Sequence, residues 1–333
     1  MNAILLILTG LILFLYALNN LSQGLKEIAG NRLIFFLDKF TNNVFKGILS
    51  GLIVTILLDS SSVVIIMTIA LVNTKAMTFR QAMGVVMGAN IGTTISSQIF
   101  ALNVAEYAAI PILSGFVMMF FFKEKFYINL GKVIFSFGLI FFGLFTMEEA
   151  VAPLKDSQYF VNWLLTLENP WKGMFTGALV TLVVQSSSAT VGMVIGLASK
   201  GLITITAGIA VMLGAELGTC ADTLVASIGR SKAAIKTGLF HLLFNISTIF
   251  LGVILLPVFT KLVLLISQNS SSQQTIANAH MIFNILGVII MIPFLNAYEK
   301  VLNFLILEKK AVVQSHKVLQ SAKGVQKDQE NAK

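Results

Sequence analysis

Charged residues are rare in this chain, and their rarity excludes an ordinary soluble protein. Asp, Glu, Lys and Arg make up 11% of the 333 residues, whereas hydrophobic residues make up 56% and the mean hydropathy is +0.87. Soluble domains carry about 25% charged residues. Apolar stretches close to the ~20 residues that a bilayer crossing requires predict transmembrane helices. They lie at 3–18, 108–122, 132–147, 234–258 and 280–307.

Cysteine is also nearly absent. The single cysteine, Cys220, excludes an intramolecular disulfide framework and a metal site made of cysteines alone. Neither a Walker-type phosphate loop nor a dinucleotide-binding fingerprint occurs, which argues against ATP-driven transport by this chain. The first apolar stretch has no basic residue before it and no small-residue cleavage site after it, so we expect it to be retained as a helix.

The net charge of +8 does not indicate nucleic-acid binding. Basic residues lie mostly in short segments between the apolar stretches and in the C-terminal tail, with no basic face or soluble domain to carry one. The positive-inside rule predicts that the tail is cytoplasmic, and it favours the same side for the basic residues Lys26, Arg32, Lys39 and Lys46.

The chain contains an internal duplication. The segment from Lys46, KGILSGLIVTILLDSSSVVIIMTIAL, aligns with the segment from Lys172, KGMFTGALVTLVVQSSSATVGMVIGL, and the alignment continues without a gap for about fifty residues. It pairs the two serine triplets and, further on, MGANIGTT with LGAELGTC. Duplicated units with polar interruptions in corresponding hydrophobic segments are typical of secondary transporters, whose site lies at the repeat interface. An odd number of crossings in each unit would make the repeats inverted.

Each serine triplet interrupts an apolar segment of about thirty residues, which is too long and too polar for one plain helix. Consecutive serines compete with the backbone for hydrogen bonds and favour helix starts over helix interiors. We therefore predict a helical hairpin in each repeat, with the chain turning at the serines and a second half-helix beginning near Val63 or Ala189. Irregular backbone at membrane depth must be buried in protein or line an aqueous cavity, so the turns predict a cavity.

The start of each second half-helix is suited to bind an anion. Its free N–H groups and positive dipole end would face the cavity, with the serine hydroxyls as caps and additional donors. Single serines in membrane helices more often bond to their own helix or join helices, but two aligned triplets, each followed by a Gly-Ala-x-x-Gly-Thr break, favour a site. The glycine motifs alone more often mean close helix packing, which leaves Asn90 and Glu216 divided between site and scaffold.

These residues resemble the type II sodium/phosphate cotransporters, a family marked by a duplicated Gln-Ser-Ser-Ser motif in inverted repeats. The resemblance covers about 1–300, and its most specific element is Gln185-Ser186-Ser187-Ser188 followed by Ala189-Thr190. The segment from Gly88, GANIGTT, is similar to the family's other repeated signature. The resemblance implies sodium-driven phosphate uptake, with both ions bound between the repeats. Many bacterial relatives add a cytoplasmic regulatory domain, which we expect here only as a separate chain.

Three carboxylates depart from the family pattern. Asp59 stands where the first motif of the family has Gln, Glu216 stands opposite Asn90, and Asp222 stands opposite Ser96. Ionisable groups at membrane depth are costly and usually mark ion or proton pathways, and a bare carboxylate would repel phosphate. Three readings follow: each carboxylate holds a sodium ion, one stays protonated and couples transport to protons, or the substrate is another oxyanion. For Asp222, pairing with a nearby lysine at a helix end is the structural alternative.

A second repeated motif places His and Asn four residues apart, in His241-Leu-Leu-Phe-Asn245 and His280-Met-Ile-Phe-Asn284. No third ligand has the spacing of a metal site, which favours hydrogen bonds between membrane helices over metal binding or proton relay. A serine hydrolase is disfavoured because no Gly-x-Ser-x-Gly elbow occurs at the serines and a nucleophile is needed only once. An ion channel is the stronger alternative, although paired broken hairpins favour alternating access.

Together these features predict an all-α integral membrane protein of two repeats, expected to be inverted, whose re-entrant or broken helical hairpins meet near the midplane. We expect repeat 1 at 1–125, repeat 2 with the C-terminal helices at 126–307, and a polar basic cytoplasmic tail at 308–333. The predicted function is sodium-coupled symport of phosphate across the cytoplasmic (inner) membrane. Proton-coupled transport of phosphate or another small oxyanion, and an ion channel, are the alternatives. We expect no enzymatic activity, no cofactor besides the coupling sodium and no nucleic-acid partner, and a homodimer stays open.

The predicted site uses both repeats. The predicted phosphate ligands are the serines of the two triplets, Ser60, Ser61, Ser62, Ser186, Ser187 and Ser188. Hard cations favour oxygen ligands, so the predicted sodium ligands are Asp59, Asn90, Thr93, Gln185, Thr190, Glu216 and Thr219. We expect Thr55, Thr181 and Asp222 to contact and orient these ligands without binding the ions themselves.

Overall fold

The protein is an all-helical membrane protein in the residues that its computed structural model describes, 3–30, 32–102 and 104–306. Five stretches in these ranges are long and apolar enough to cross a membrane, Ile4–Ala29, Lys125–Asp156, Ile205–Ser227, Lys232–Ile254 and Ser272–Leu305. The predicted all-α, multi-pass architecture is confirmed. The predicted tail at 308–333 lies outside the described residues.

The helices follow the duplication. The first repeat contains α1 (Ala3–Ala29), α2 (Arg32–Lys39), α3 (Val44–Leu58), α4 (Ser61–Asn73), α5 (Phe79–Phe100) and α6 (Ala109–Phe121). The second contains α7 (Lys125–Val151), α8 (Gln158–Leu165), α9 (Pro170–Val184), α10 (Ser187–Ser199), α11 (Ile205–Gly218) and α12 (Cys220–Ser227). The remaining helices are α13 (Lys232–Ile254), α14 (Leu256–Ile266), α15 (Ser272–Met291) and α16 (Leu295–Leu305).

One predicted span was wrong, and one span was missed. The stretch 108–122 forms α6, a helix of 13 residues, which at about 1.5 Å per residue is too short to cross the hydrocarbon core alone. The stretch Ile205–Ser227, which includes α11 and α12, was missed because Glu216 and Asp222 interrupt its apolar run. This span is mostly buried among other helices, where polar side chains find partners that lipid does not offer.

Close helix packing explains the repeated Gly-Ala motifs. A Cβ atom on Gly88 would overlap the carbonyl oxygen of Ile48, and one on Gly214 would overlap that of Met174. Glycine therefore allows α5 to lie against α3, and α11 to lie against α9, with backbones in contact. The predicted break at this motif is absent in α5, which runs unbroken to Phe100, whereas α11 ends at Gly218.

The interface between the repeats is completed by the C-terminal helices. The helix α13 packs against α4 and α5 of the first repeat and against α11 and α12 of the second. The helix α15 packs against α5 on one side and against α10 and α11 on the other. Both helices therefore bridge the two repeats, and they bring their His/Asn pairs to the centre of the protein.

Candidate functional site

The first serine triplet breaks its membrane segment into two helices. The helix α3 ends at Leu58, and Asp59 follows in the left-handed conformation with φ 51°. Ser60 then caps α4, and its hydroxyl oxygen accepts a hydrogen bond from the N–H of Val63 at 3.3 Å. A left-handed residue directly followed by an N-cap reverses the backbone within two residues, which is the predicted broken hairpin.

The second triplet repeats this geometry. Gln185 is left-handed with φ 58° after α9, and Ser186 caps α10 by accepting from the N–H of Ala189 at 3.1 Å. The half-helices begin at Ser61 and Ser187 and not near Val63 and Ala189 as predicted. The first serine of each triplet explains the difference, because it is the N-cap of the helix that follows. The residue whose N–H it accepts, Val63 or Ala189, is therefore the third residue of that helix, and the other two serines lie in its first turn.

Three serine side chains in these first turns are buried and lack a protein partner. Ser61, Ser187 and Ser188 are 7%, 4% and 8% exposed. Their hydroxyl groups form no hydrogen bond to any residue that the structure describes. Because buried polar groups are normally paired, these hydroxyls and the free N–H groups of the same turns are available to a polar ligand. The side chain of Gln185 is exposed and has no partner in the described ranges.

Each repeat carries one carboxylate at one of two aligned positions, and the position differs between the repeats. Asp59 lies in the turn and accepts a hydrogen bond from the hydroxyl of Ser96 on α5. At the corresponding positions the second repeat has Gln185 in the turn and Asp222 on α12. Between the two repeats, the acid and the neutral residue have thus exchanged places.

Asp222 reaches across to the first repeat. Its Oδ2 accepts a hydrogen bond from the hydroxyl of Ser62 at 3.3 Å, so a serine of one repeat is bound to the carboxylate of the other. A cavity of about 180 Å³ lies next to Asp59 and Ser96, and its other walls are apolar side chains of α1, α3, α5 and α7. The structure therefore brings Asp59 and Asp222 to the first serine turn.

The threonines behind the turns differ between the repeats. In the second repeat Thr181 donates to the hydroxyl oxygen of Thr190 at 2.7 Å. In the first repeat the equivalent Thr55 is fully buried and its hydroxyl has no partner, because Val64 stands where the second repeat has Thr190. Threonine was predicted to support both turns, and the threonine hydrogen bond is formed at the turn of the second repeat.

Two of the predicted sodium ligands are bound to their own helices. The hydroxyl groups of Thr93 and Thr219 donate to the carbonyl oxygens of Ala89 and Ala215, each at 3.1 Å. This bonding to the residue four positions earlier is the common arrangement for threonine in membrane helices. It leaves each hydroxyl oxygen with lone pairs for a cation.

Asn90 and Glu216 are held by the two His/Asn pairs. The amide of Asn90 donates to Asn245 at 2.6 Å, and Asn245 donates to the backbone oxygen of Glu216 at 2.8 Å. The carboxylate of Glu216 contacts Nε2 of His280 at 2.6 Å and accepts from Asn284 at 3.2 Å. The predicted role of these pairs in joining membrane helices is confirmed.

Two serines of α5 contact Asp59 and His280 and were not themselves among the predicted site residues. Ser96 binds Asp59, and Ser97 contacts Nδ1 of His280 at 2.6 Å. In the second repeat Thr223, equivalent to Ser97, contacts Nδ1 of His241 at 2.8 Å. The aligned positions of these residues after the glycine motifs, together with the echoed His/Asn pairs, are the signal that would have found them.

The comparison with known proteins agrees with this arrangement. The sequence model of the Na+/Pi-cotransporter family matches residues 13–149 and 157–292. The chain belongs to this family. Its two matched segments contain both serine turns and both glycine motifs.

Individual relatives extend over different parts of the chain. The protein named "Uncharacterized protein YqeW" of Bacillus subtilis is 28% identical over 316 residues, which are 92% of this chain and 99% of that protein. The protein named "Putative inorganic phosphate export protein YjbB" of Escherichia coli is 22% identical over 89% of this chain, which spans only 54% of its length. Human sodium-dependent phosphate transport protein 2B is 32% identical over 108 residues, 30% of this chain and 16% of that protein. No solved structure gives a significant match.

Proposed function

We propose that this protein is a secondary transporter that carries inorganic phosphate together with sodium across the cytoplasmic membrane. Phosphate binds between the two serine turns, and sodium binds beside the carboxylates. The membrane-spanning helices and the cotransporter family support transport of phosphate. The name of the human relative supports sodium as the coupling ion.

The two serine turns carry the proposal. Each presents the first turn of a helix, where the N–H groups lack partners within the helix and the dipole end is positive. The free hydroxyls of Ser61, Ser187 and Ser188 add donors to these backbone groups. Such a site binds a tetrahedral oxyanion through neutral donors and needs neither arginine nor lysine.

The carboxylates account for coupling to a cation. A phosphate near Asp59 and Asp222 would be repelled unless cations offset their charges, because like charges in a low-dielectric site interact strongly. One sodium ion beside each carboxylate cancels the carboxylate charges, so that the phosphate meets only the positive helix ends and binds well only when sodium is present. Each ion then raises the affinity for the other, which is the linkage a symporter requires.

The direction of flux follows the gradients. A symporter can work in both directions. The name of YjbB describes export of phosphate and the name of the human relative describes phosphate transport, so both names refer to the same substrate.

We place the tail that contains Lys309, Lys310 and Lys317 on the cytoplasmic side, because positive loops and tails are retained there.

Direct binding of phosphate tests the proposed site. We would measure equilibrium binding of radiolabelled phosphate to the purified protein in detergent, with sodium and with choline in its place. A hydrogen bond to a charged group contributes about 1.5–3 kcal/mol, so Ser61→Ala or Ser187→Ala should weaken binding roughly 10- to 100-fold. The control is Ser114→Ala, because Ser114 is exposed on α6 and bonds only to its own helix. Equal phosphate binding by the wild type, the two site variants and the Ser114→Ala control would reject the site.

A further inference from the structure

A cluster of neutral amide side chains joins α5 to α15. Gln274 donates to the side-chain oxygens of Gln98 at 2.6 Å and of Asn278 at 3.0 Å. Gln98 also donates to Asn278 at 3.3 Å, and Asn278 donates to the hydroxyl of Ser267 at 3.0 Å. All three amide side chains are half-buried. We call Gln98, Gln274 and Asn278 the amide cluster.

The amide cluster connects an exposed polar loop to the predicted site. On its outer side lies the segment 268–273, QNSSSQ, six consecutive polar residues without charge, most of them exposed. On its inner side, Gln98 directly follows Ser96 and Ser97 on α5. Ser96 binds Asp59 at the first serine turn, and Ser97 contacts His280. Three consecutive polar residues of α5 thus connect the hairpin turn, through Ser96, to the amide cluster, through Gln98.

The equivalent positions on the other side of the protein are apolar. In the duplication Leu224 stands at the position of Gln98. The helices α13 and α15 correspond through their His/Asn pairs, which places Ile235 at the position of Gln274 and Leu239 at that of Asn278. The two sides therefore share one backbone plan, with three amides on one side and three aliphatic residues on the other.

We propose that the amide cluster lines an aqueous gate through which a small hydrated oxyanion reaches the serine turns. The inference rests on the proposed transport function and adds to it the route of entry. Polar side chains at membrane depth are costly unless they meet protein or water. Three amides in a half-buried position meet both requirements when they bond to one another in the closed gate and to water in the open gate.

Neutral amides suit a gate for an anion that travels with cations. They offer donors and acceptors together, so neither ion is held by a fixed opposite charge on the way. Hydrogen bonds between neutral groups exchange readily with bonds to water, which lets α15 separate from α5 at little cost. The aliphatic residues Leu224, Ile235 and Leu239 form the opposite barrier, because a closed apolar constriction excludes water.

Cysteine accessibility tests the gate. Gln98, Gln274 and Asn278 would be replaced one at a time by cysteine, and labelled with a membrane-impermeant maleimide from each side of the membrane in cells and inverted vesicles. Only one native cysteine is present, and Cys220 is 1% exposed, so the unmodified protein supplies a low background. Ile235→Cys is the matched control at an equivalent position, and Ile289→Cys on α15 is the control for a lipid-exposed residue, because Ile289 is 60% exposed.

We expect the cluster cysteines to react at least about tenfold faster than both controls, because a thiol in water ionises to the reactive thiolate and a thiol in lipid does not. We also expect this labelling from one side of the membrane only. Labelling as slow as at Ile235 and Ile289 for all folded cluster variants would overturn the gate. Because the readout needs no phosphate, failure of the gate is distinct from failure of phosphate transport. Three independent positions keep the test decisive if one variant does not reach the membrane.

Discussion

Ser62 donates a hydrogen bond to Asp222 across 3.3 Å, and this bond joins the serine turn of the first repeat to a helix of the second. In the proposed transport cycle the two repeats move relative to each other. A hydrogen bond between them therefore reports on which state the protein occupies. It also places one carboxylate of the proposed cation sites directly on a proposed phosphate ligand, and the proposed function therefore links the binding of the two ions at this contact.

The exchanged positions of the two carboxylates predict how sodium dependence changes. Asp59→Gln copies the turn of the second repeat, and Asp222→Ser copies Ser96 of the first. Each variant removes one of the two proposed cation sites, so each should lower the cooperativity of sodium activation while phosphate is still transported. Initial rates of uptake measured against sodium concentration check this.

The control for these variants is Asp156→Asn, which removes an exposed carboxylate outside the site. The double variant of Asp59 and Asp222 should lose most of its sodium dependence, because neither turn then carries a negative charge. Sodium activation curves that superimpose on the wild-type curve would show that these carboxylates do not bind the coupling ion.

The unpartnered hydroxyl of Thr55 predicts a stabilising substitution. Val64→Thr places a threonine where the second repeat has Thr190, and gives Thr55 the partner that Thr181 already has. Pairing a buried hydroxyl is expected to raise the free energy of unfolding by about 1 kcal/mol. Chemical unfolding in detergent micelles measures this change.

The reverse substitution is the matched control. Thr190→Val should lower the free energy of unfolding by about 1–3 kcal/mol, because it leaves the hydroxyl of Thr181 buried and unpaired. Opposite signs for the two variants are expected, since valine and threonine have nearly the same shape. If both substitutions change the free energy of unfolding in the same direction, the threonine pair does not stabilise the turn.

The glycines of the repeated motif predict a large loss of stability on substitution. Gly88→Ala and Gly214→Ala place a methyl group against a backbone carbonyl of the neighbouring helix, which cannot move without shifting that helix. We expect a loss of about 3 kcal/mol or a failure to accumulate in the membrane. Thermal unfolding and the amount of protein in the membrane fraction are the measurements.

Gly196→Ala is the comparison for these glycine variants. A Cβ atom there would lie 3.3 Å from a side-chain carbon of Glu148 and would meet no backbone atom. Because alanine is the better helix former by about 1 kcal/mol, Gly196→Ala should be close to neutral or stabilising. Similar losses at all three positions would show that glycine matters for helix conformation and not for close approach.

The duplication made much of the architecture predictable from sequence. Aligned serine triplets gave both hairpin turns, because consecutive hydroxyls favour a helix start whatever the surroundings. The start itself was misplaced by two residues, since which serine becomes the cap depends on the left-handed residue before it. Asp59 and Gln185 adopt that conformation without being glycine, and no sequence rule indicates it.

Contacts between distant segments could not be read from the sequence. The bonds of Ser62 to Asp222 and of Glu216 to His280 join residues that lie in different helices, and only the fold brings them together. The crossing at 205–227 was missed for the same reason, because its polar residues are acceptable only when neighbouring helices bury them. Hydropathy describes contact with lipid, and this segment has little of it.

Sodium-driven uptake of phosphate into proteoliposomes tests the central claim most directly. The purified protein would be reconstituted, and radiolabelled phosphate uptake followed with an inward sodium gradient, with an inward proton gradient in its place, and with neither. The proposed function predicts accumulation above equilibrium with sodium only, and its loss in Ser61→Ala and Ser187→Ala but not in Ser114→Ala. Accumulation driven by protons alone, or no accumulation by folded protein under any gradient, would contradict it.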